Sequence, residues 1–324
     1  SGESIRIAFR DGRLSVNDAN VIVNDVEASN GIIHVIDQVL VFRLDPLVEA
    51  AINTNYCKPQ TVKSCFDCHT SVQNTHEGAA PLKAAYFESL KELRLNFTGL
   101  KSVAPLSRLP NLESLRISSN GIHSLKGVEA LTALVTLDAS GNHFRSIKEL
   151  KGLRHLQNLH LSSMNFSNDD MTAPDGLNKL TNLRTLDLCN NEFTSARGIE
   201  QLIHLEELSF YKNQLTDVDV LGKLPKLRKV NLFGNRLTSV EGLETASNMR
   251  YVVLDNNQLT SVKGLDKLVR LEQLSLGDNQ LTSVKSLGAL ERLTRLDLRR
   301  NKLSSLDGLE RLKNLKALYV NGNQ

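Results

Sequence analysis

The chain has 324 residues, of which 40% are hydrophobic and 23% charged, and its formal net charge at pH 7 is +3. This composition is ordinary for a folded soluble protein, and the two signs of charge are interspersed, so we expect no nucleic-acid partner. No apolar run approaches the roughly 20 residues that a transmembrane helix needs, so no membrane span is predicted either.

Residues 1–42 favour a small antiparallel sheet. Residues 5–9 read as a strand, Asp11-Gly12 is typical of a hairpin turn, and β-branched runs follow at residues 20–23 and 31–41. The last run is apolar nearly throughout, as expected for a strand covered on both faces.

The same stretch resembles the closing segment of the fasciclin family. The family line Asn-Gly-Ile-Ile-His-x-Ile-Asp-x-Val-Leu is matched from Asn30 to Leu40 almost throughout. The resemblance covers about forty residues, whereas a fasciclin fold needs roughly three times as many, so a partial domain is predicted. Fasciclin domains are extracellular or cell-surface adhesion modules, so the resemblance implies adhesion and export. We interpret His34 as a structural residue of that fold.

Residues 43–85 are predicted to form a short helix that starts near Pro46, followed by a Cys-rich linker or cap. Cys65-Phe-Asp-Cys68-His69 satisfies the Cys-x-x-Cys-His pattern of c-type haem attachment. In that pattern two thiols bond the porphyrin and the adjacent imidazole binds the iron. The motif therefore predicts a covalent haem c, held by Cys65, Cys68 and His69.

Two other interpretations of the cysteine segment stay open. Cys57 has no part in the haem motif, and it could form a disulfide with Cys65 or Cys68, as exported segments commonly do. A zinc site could combine the three cysteines with His69 or His76, although adjacent Cys and His suit tetrahedral ligation poorly. The segment is too short and too polar to enclose a haem on its own. If it binds no haem, no cofactor is expected.

From about residue 86 onward the line Leu-x-Leu-x-x-Asn returns, as in Leu186-Asp-Leu-Cys-Asn-Asn191. Its sixth positions are Thr98, Asn120, Asn142, Met164, Asn191, Asn213, Asn235, Asn257, Asn279, Asn301 and Asn323. The step is 22 residues except for 27 between Met164 and Asn191, which predicts a five-residue insertion near residues 168–175. This period, with leucine at fixed offsets, is the leucine-rich repeat pattern.

The repeat pattern predicts an α/β solenoid. One unit cannot bury its apolar side alone, so about eleven units should stack into a leucine-rich repeat horseshoe with parallel strands on its concave face. Each Asn can hydrogen-bond the backbone where the chain leaves a strand, which would repeat as a ladder. The predicted domains are residues 1–42, 43–85 and 86–324. The chain starts at Ser1 and stops inside a repeat, so we expect both ends to be cut.

Return segments such as Leu259-Thr-Ser-Val262-Lys-Gly-Leu265 resemble those of two subclasses. One comprises the bacterial internalins, which are secreted adhesins, and the other the cytosolic phosphatase-1 regulatory subunit. Neither resemblance brings catalytic residues. No Ser-His-Asp set, carboxylate pair or phosphate-binding glycine loop is evident, so the chain is not expected to be an enzyme. Cys189, in a strand position, is interpreted as structural.

The residues between and just outside the strand leucines should face the concave side of the horseshoe. Aromatic and apolar side chains cluster there on neighbouring strands, beside charged residues that would form a rim. The predicted partner-binding residues are Tyr211, Phe233, Tyr251, Val253, Asp255 and Arg299.

The leading hypothesis is recognition of, or adhesion to, a protein ligand through the concave face of an extracellular or cell-surface protein. One alternative is an exported c-type haem electron-transfer protein that uses the repeats for targeting. The other is a cytosolic regulatory scaffold.

Overall fold

The computed structural model describes the backbone of residues 7–10, 13–16, 19–28 and 31–36, and all of residues 90–168 and 176–324. The chain divides into two compact units, Ser1–Leu90 and Lys91–Gln324. Outside the described residues lie the predicted helix near Pro46, the cysteine segment with Cys57, Cys65, Cys68 and His69, and residues 169–175 of the predicted insertion.

The first unit contains an antiparallel sheet of four strands in sequence order. The strands are β1 (Ile7–Arg10), β2 (Arg13–Val16), β3 (Ala19–Ala28) and β4 (Gly31–Ile36). Ile7 pairs with Val16, and the β3–β4 register shifts twice between Val21 and Val26. The expected short N-terminal β segment is therefore confirmed.

The second unit is built on an eleven-stranded sheet in which neighbours along the chain are neighbours in space. The strands are β5 (Glu92–Arg94), β6 (Ser114–Arg116), β7 (Thr136–Asp138), β8 (Asn158–His160), β9 (Thr185–Asp187), β10 (Glu207–Ser209), β11 (Lys229–Asn231), β12 (Tyr251–Val253), β13 (Gln273–Ser275), β14 (Arg295–Asp297) and β15 (Ala317–Tyr319). Every pair is parallel and in register, so that Leu208 lies opposite Leu186 and Val230. The predicted horseshoe of about eleven units is confirmed.

The return segments of the solenoid are 3₁₀ turns, of which nine are found in the described residues. They are η1 (Ala104–Arg108), η2 (Val128–Ala130), η3 (Lys148–Gly152), η4 (Leu177–Lys179), η5 (Asp219–Lys223), η6 (Leu243–Thr245), η7 (Leu265–Lys267), η8 (Lys285–Ala289) and η9 (Leu309–Arg311). In several units a serine precedes the turn and accepts a backbone hydrogen bond. For example, the Ser261 hydroxyl accepts the Lys263 N–H at 3.1 Å. A 22-residue unit leaves too little chain for a longer helix, so the return stays at one or two tight turns.

The core of the solenoid lies between the sheet and the 3₁₀ turns. Leu208 and Phe210 are 3% and 1% exposed, and equivalent apolar residues of the inner units are similarly buried. Each side chain removed from water in this way stabilises the fold by about 2 kcal/mol. Edge-to-face ring pairs, Phe144 with Phe166 and Phe193 with Phe210, fill the core on either side of the insertion.

The predicted asparagine ladder is present. Asn235 Oδ1 accepts the Leu215 N–H at 2.9 Å, and its Nδ2 donates to the carbonyls of Phe210 and Leu232 at 2.9 and 3.0 Å. Each such side chain therefore ties two successive units together. Where the ladder residue is Met164, the Asn142 N–H meets its sulfur at 3.2 Å instead.

The residue before each ladder position adopts a positive φ, which the sequence analysis did not anticipate. These residues are Phe97, Ser119, Gly141, Ser163, Asn190, Lys212, Gly234, Asn256, Asp278, Arg300 and Gly322. The left-handed conformation turns the chain sharply off the strand, and glycine or asparagine adopts it at low cost.

Candidate functional site

The concave face consists of three rows of outward side chains, one residue per strand in each row. On β10 and the two residues after it, Leu208 and Phe210 point inward, and Glu207, Ser209 and Tyr211 point outward, because extended side chains alternate. Neighbouring parallel strands lie about 4.8 Å apart, so outward residues on adjacent units can touch.

Tyr211 and Phe233 form a stacked pair in the third row, which we call the aromatic pair. Their ring centroids are 5.0 Å apart and the ring planes are inclined by 21°. Both side chains are half-buried, and Lys212 Nζ lies 5.2 Å from the Tyr211 centroid. Offset stacking and the nearby cation hold the pair in place and leave one aromatic surface open.

Tyr251 lies in the first row and belongs to a different group of contacts. Its hydroxyl donates to Glu272 at 3.0 Å, which raises the pKa of Tyr251, and Lys229 Nζ lies 5.7 Å from its ring centroid. Arg250 pairs with the same Glu272 at 2.8 Å. The tyrosine lines a cleft of about 270 Å³ with Glu206, Glu207, Arg228, Lys229 and Arg250. Val253, half-buried in the second row, lies between Asn231 and Ser275.

Asp255 and Arg299 occupy the third row on either side of Gly277. Asp255 is only 9% exposed, and its Oδ1 accepts the Ser275 hydroxyl at 2.7 Å and the Gly277 N–H at 3.1 Å. Burial raises the pKa of Asp255, and the nearby Asp297 charge adds to the rise, although the hydrogen bonds oppose it. Arg299 is paired with Asp297 at 2.6 Å.

A second polar cluster lies on β8 to β10. His160 Nδ1 is 3.7 Å from Asp187 Oδ2, and the Cys189 sulfur is 3.0 Å from the Ser209 hydroxyl. Burial acts to raise the pKa of Asp187, but hydrogen bonds involving His160 and Cys189 outweigh it and lower that pKa. Burial and the Asp187 charge raise the pKa of the Cys189 thiol to about 12. The thiol is therefore protonated at neutral pH and is a poor nucleophile.

Across residues 90–168 and 176–324 no three His, Cys, Asp or Glu side chains are arranged to hold a metal ion. None of the helices in the described part of the chain has the length and apolar character that a bilayer crossing requires. The predicted haem residues Cys65, Cys68 and His69 lie outside the described residues, so haem binding stays a prediction.

The structure thus brings Tyr211 and Phe233 into contact and separates them from Tyr251, which the sequence analysis grouped with them. The structure also brings Ser275, Gly277 and Asp297 around Asp255, and these three were not among the predicted partner-binding residues. Gly277 departs from the polar or aromatic residues found elsewhere in its row, and that departure was the available signal.

Family models match both parts of the chain. The model described as Leucine Rich repeats (2 copies) matches residues 88–130, 203–245 and 247–289, and Leucine Rich Repeat models match residues 155–171 and 182–202, together about half of the chain. The Fasciclin domain model matches residues 1–42. Over 40 residues the chain is 55% identical to Protein sll1483 of Synechocystis sp., which covers 12% of this chain and 22% of that protein.

Solved structures resemble the solenoid. The leucine-rich repeat protein LIC12759 of Leptospira interrogans is 28% identical, with a TM-score of 0.69 over 75% of this chain and 64% of that chain. Internalin inlF of Listeria monocytogenes is 22% identical, with a TM-score of 0.52 over 75% and 84% of the two chains. The ectodomain of the Arabidopsis thaliana receptor kinase GASSHO1/SCHENGEN3, in complex with CASPARIAN STRIP INTEGRITY FACTOR 2, is 23% identical, with a TM-score of 0.59 over 75% and 31%.

This chain spans about a fifth of sll1483 and just under two thirds of the leptospiral chain. The likeness to the internalin and to the plant receptor shows a shared fold. With its repeat matches and its eleven-stranded parallel sheet, the chain belongs to the leucine-rich repeat proteins, and its first 42 residues match the fasciclin domain.

Proposed function

We propose that this protein binds a protein ligand on the concave face of its solenoid, at a surface centred on the aromatic pair. The observation that carries the proposal is the stacking of Tyr211 on Phe233 at outward positions. At the same row position the preceding units carry Asn96, Ser118, Ser140, Ser162 and Cys189, so the solenoid does not need aromatic residues there. Rigid aromatic side chains on an open surface are typical of binding hot spots.

Two further features support protein recognition over catalysis. Leucine-rich repeat and fasciclin domains are generally binding folds, and the receptor ectodomain that resembles this solenoid was solved with a bound factor. In the polar cluster of His160, Asp187 and Cys189, the Cys189 thiol is protonated at neutral pH and is therefore a poor nucleophile.

The proposal is tested by selecting binders from a phage-displayed library of random dodecapeptides against the immobilised 324-residue chain. Tyr211→Ala or Phe233→Ala should weaken the selected peptides at least roughly tenfold, with the thermal unfolding midpoint nearly unchanged. Phe97→Ser is the matched control, because Phe97 is 60% exposed at the turn position where Ser119 and Ser163 occur in other units. Selected peptides that bind the aromatic-pair variants as tightly as the wild-type chain would refute the concave site.

We also propose an extracellular or cell-surface location. The fasciclin match at residues 1–42 supports it, as does the likeness of the solenoid to an internalin and to a receptor ectodomain. Protease treatment of intact native cells should remove the protein while a cytosolic marker survives. Survival of the protein until lysis would favour the cytosolic scaffold.

A second candidate function, covalent haem binding, is favoured by one sequence observation, the Cys65-x-x-Cys68-His69 motif. When bound, a haem supplies electron transfer, and these residues would hold it. Protein purified from its native source should then show a Soret absorption band and an intact mass increased by one haem. A colourless protein at the mass of the unmodified chain, less two hydrogens for any disulfide, would exclude it.

A further inference from the structure

Two histidines lie side by side where the chain has left two neighbouring strands of the solenoid. His123 follows β6 and His143 follows β7, and their ring centroids are 5.4 Å apart with the ring planes inclined by 47°. The His143 N–H donates to the Ile122 carbonyl at 2.8 Å, which holds the two backbone segments together. Both side chains are exposed. We call His123 and His143 the histidine pair.

The repeat pattern does not require histidine at either position. In the preceding and following units, Lys101 and Arg145 occupy the position of His123, and Gly121 and Asn165 occupy the position of His143. Because the rings are exposed, they also add nothing to the core. Neither packing nor the asparagine ladder therefore accounts for two adjacent imidazoles.

The ring nitrogens of the pair are available as metal ligands. His123 Nδ1 lies 2.9 Å from the Gly121 carbonyl oxygen, which can only accept, so Nδ1 carries the hydrogen and the neutral ring keeps a lone pair on Nε2. A carbonyl partner of this kind orients an imidazole for binding a metal through its other nitrogen. Within residues 90–168 and 176–324, no hydrogen bond engages a ring nitrogen of His143.

The separation of the two rings suits a single tetrahedral ion. A zinc–nitrogen bond of about 2.1 Å, and about 1.1 Å from that nitrogen to the ring centre, put each centroid roughly 3.2 Å from the ion. Centroids 5.4 Å apart then subtend about 115° at the ion, which is close to the tetrahedral angle. Since both side chains are exposed, rotation about their χ angles turns the nitrogens towards one ion without disturbing the core.

We propose that the histidine pair binds a zinc ion through one nitrogen of each imidazole, with water in the remaining positions. Imidazole is a preferred ligand of zinc. No third His, Cys, Asp or Glu side chain of the described ranges completes the site, so binding should be weaker than in a structural site with four protein ligands. The Arg145 guanidinium donates to the Asn165 carbonyl at 3.1 Å, in the unit beyond His143. The proposed zinc site does not depend on the ligand of the concave face.

The test measures how zinc protects individual histidines of the 324-residue chain from acylation by diethyl pyrocarbonate. Peptide mass spectrometry follows each histidine separately, and so distinguishes the pair from the cysteine segment. Zinc should protect His123 and His143 with the same half-saturating concentration, whereas magnesium, which prefers oxygen ligands, should protect neither. His204 is the matched control, because its Nδ1 lies 3.1 Å from the Thr181 carbonyl and no second imidazole of the described residues contacts its ring.

Two variants test whether one ion is shared. His143→Asn should raise the zinc concentration that protects His123 at least roughly tenfold, because loss of even an outer-shell partner of a metal ligand costs about 10–100-fold in affinity. His123→Asn should do the same to His143. Neither change should alter the thermal unfolding midpoint of the metal-free protein, since both side chains are exposed.

Three outcomes would overturn the zinc site. Unchanged protection of His123 in His143→Asn would show that each imidazole binds zinc independently. Equal protection of His204 would show that any accessible imidazole suffices. Failure of about 1 mM zinc to protect either member of the pair would show that no useful affinity exists.

Discussion

Asp255 carries a charge that the leucine-rich repeat fold does not require, because the equivalent residues on the neighbouring strands are Phe233 and Gly277. Its hydrogen bonds to Ser275 and Gly277 only partly offset the loss of water around the carboxylate. Asp255 is therefore expected to lower the stability of the folded solenoid at neutral pH.

Asp255→Asn should stabilise the protein near neutral pH. Folding raises the pKa of Asp255, so above that raised pKa the native state bears the cost of a buried charge that Asn lacks. Below the unfolded pKa of about 3.9 both states are protonated, and the advantage of the variant should vanish. Urea unfolding of both proteins from pH 8 down to pH 3 measures the difference. A variant less stable than the wild type at pH 8 would contradict the argument.

Asn235→Ala should destabilise the solenoid by about 3 kcal/mol, because three buried hydrogen bonds of roughly 1 kcal/mol each are lost, together with a longer one to the Phe233 carbonyl. The matched control is Asn314→Ala, which removes one exposed bond to the Glu291 carbonyl and should cost less than about 1 kcal/mol. Chemical denaturation followed by circular dichroism compares the two. Equal losses of unfolding free energy in the two variants would show that a buried ladder asparagine contributes no more stability than an exposed one.

Among the structural elements, the 3₁₀ returns depend on glycine where one unit packs on the previous one. Gly242 has a φ of 95°, and a Cβ there would lie 2.4 Å from the Asp219 Cα. Gly242→Ala should therefore destabilise the protein by about 2–4 kcal/mol through backbone strain and steric overlap. Gly152→Ala is the control, because a Cβ at Gly152 meets nothing within 4 Å. Thermal unfolding distinguishes the two variants. An unchanged unfolding midpoint in Gly242→Ala would mean that the 3₁₀ return segment can move away from Asp219 at little cost in free energy.

The repeat period was enough to locate these elements but not to define their geometry. Leucine spacing around Leu186 and Leu208 placed the strands and their register, because only one alignment buries every leucine. The left-handed residues Lys212 and Arg300 escaped prediction, because neither side chain favours that conformation and the stacked units impose it.

The binding surface was predictable only in part. A period of 22 puts Tyr211 beside Phe233, so their contact follows from register. The burial of Asp255 does not follow from its own position, because it depends on Ser275 and on the missing side chain of Gly277 one strand away. Tyr251 is separated from the aromatic pair by its place in the first row, opposite Lys229, and its hydroxyl donates to Glu272 in the next unit.

At the scale of the whole solenoid, stability should vary along the array, because each unit is held only by its neighbours. Leu274 on β13 is 1% exposed, whereas Leu318 on β15 is 39% exposed and Leu306 is also 39% exposed. Less apolar burial makes local opening of this unit less costly within the 324-residue chain.

Amide hydrogen exchange read by mass spectrometry should therefore show peptides from β15 exchanging at least about tenfold faster than peptides from β12 and β13. Leu318→Ala should accelerate exchange only near β15, since it removes a side chain that is already 39% exposed. Leu274 is 1% exposed, so Leu274→Ala leaves a cavity and should lower the free energy of unfolding by about 3 kcal/mol. Exchange should then accelerate in the units on both sides of β13. Uniform exchange along the array, with both variants acting everywhere alike, would mean that the solenoid opens as one cooperative unit, and nearest-neighbour coupling would not describe it.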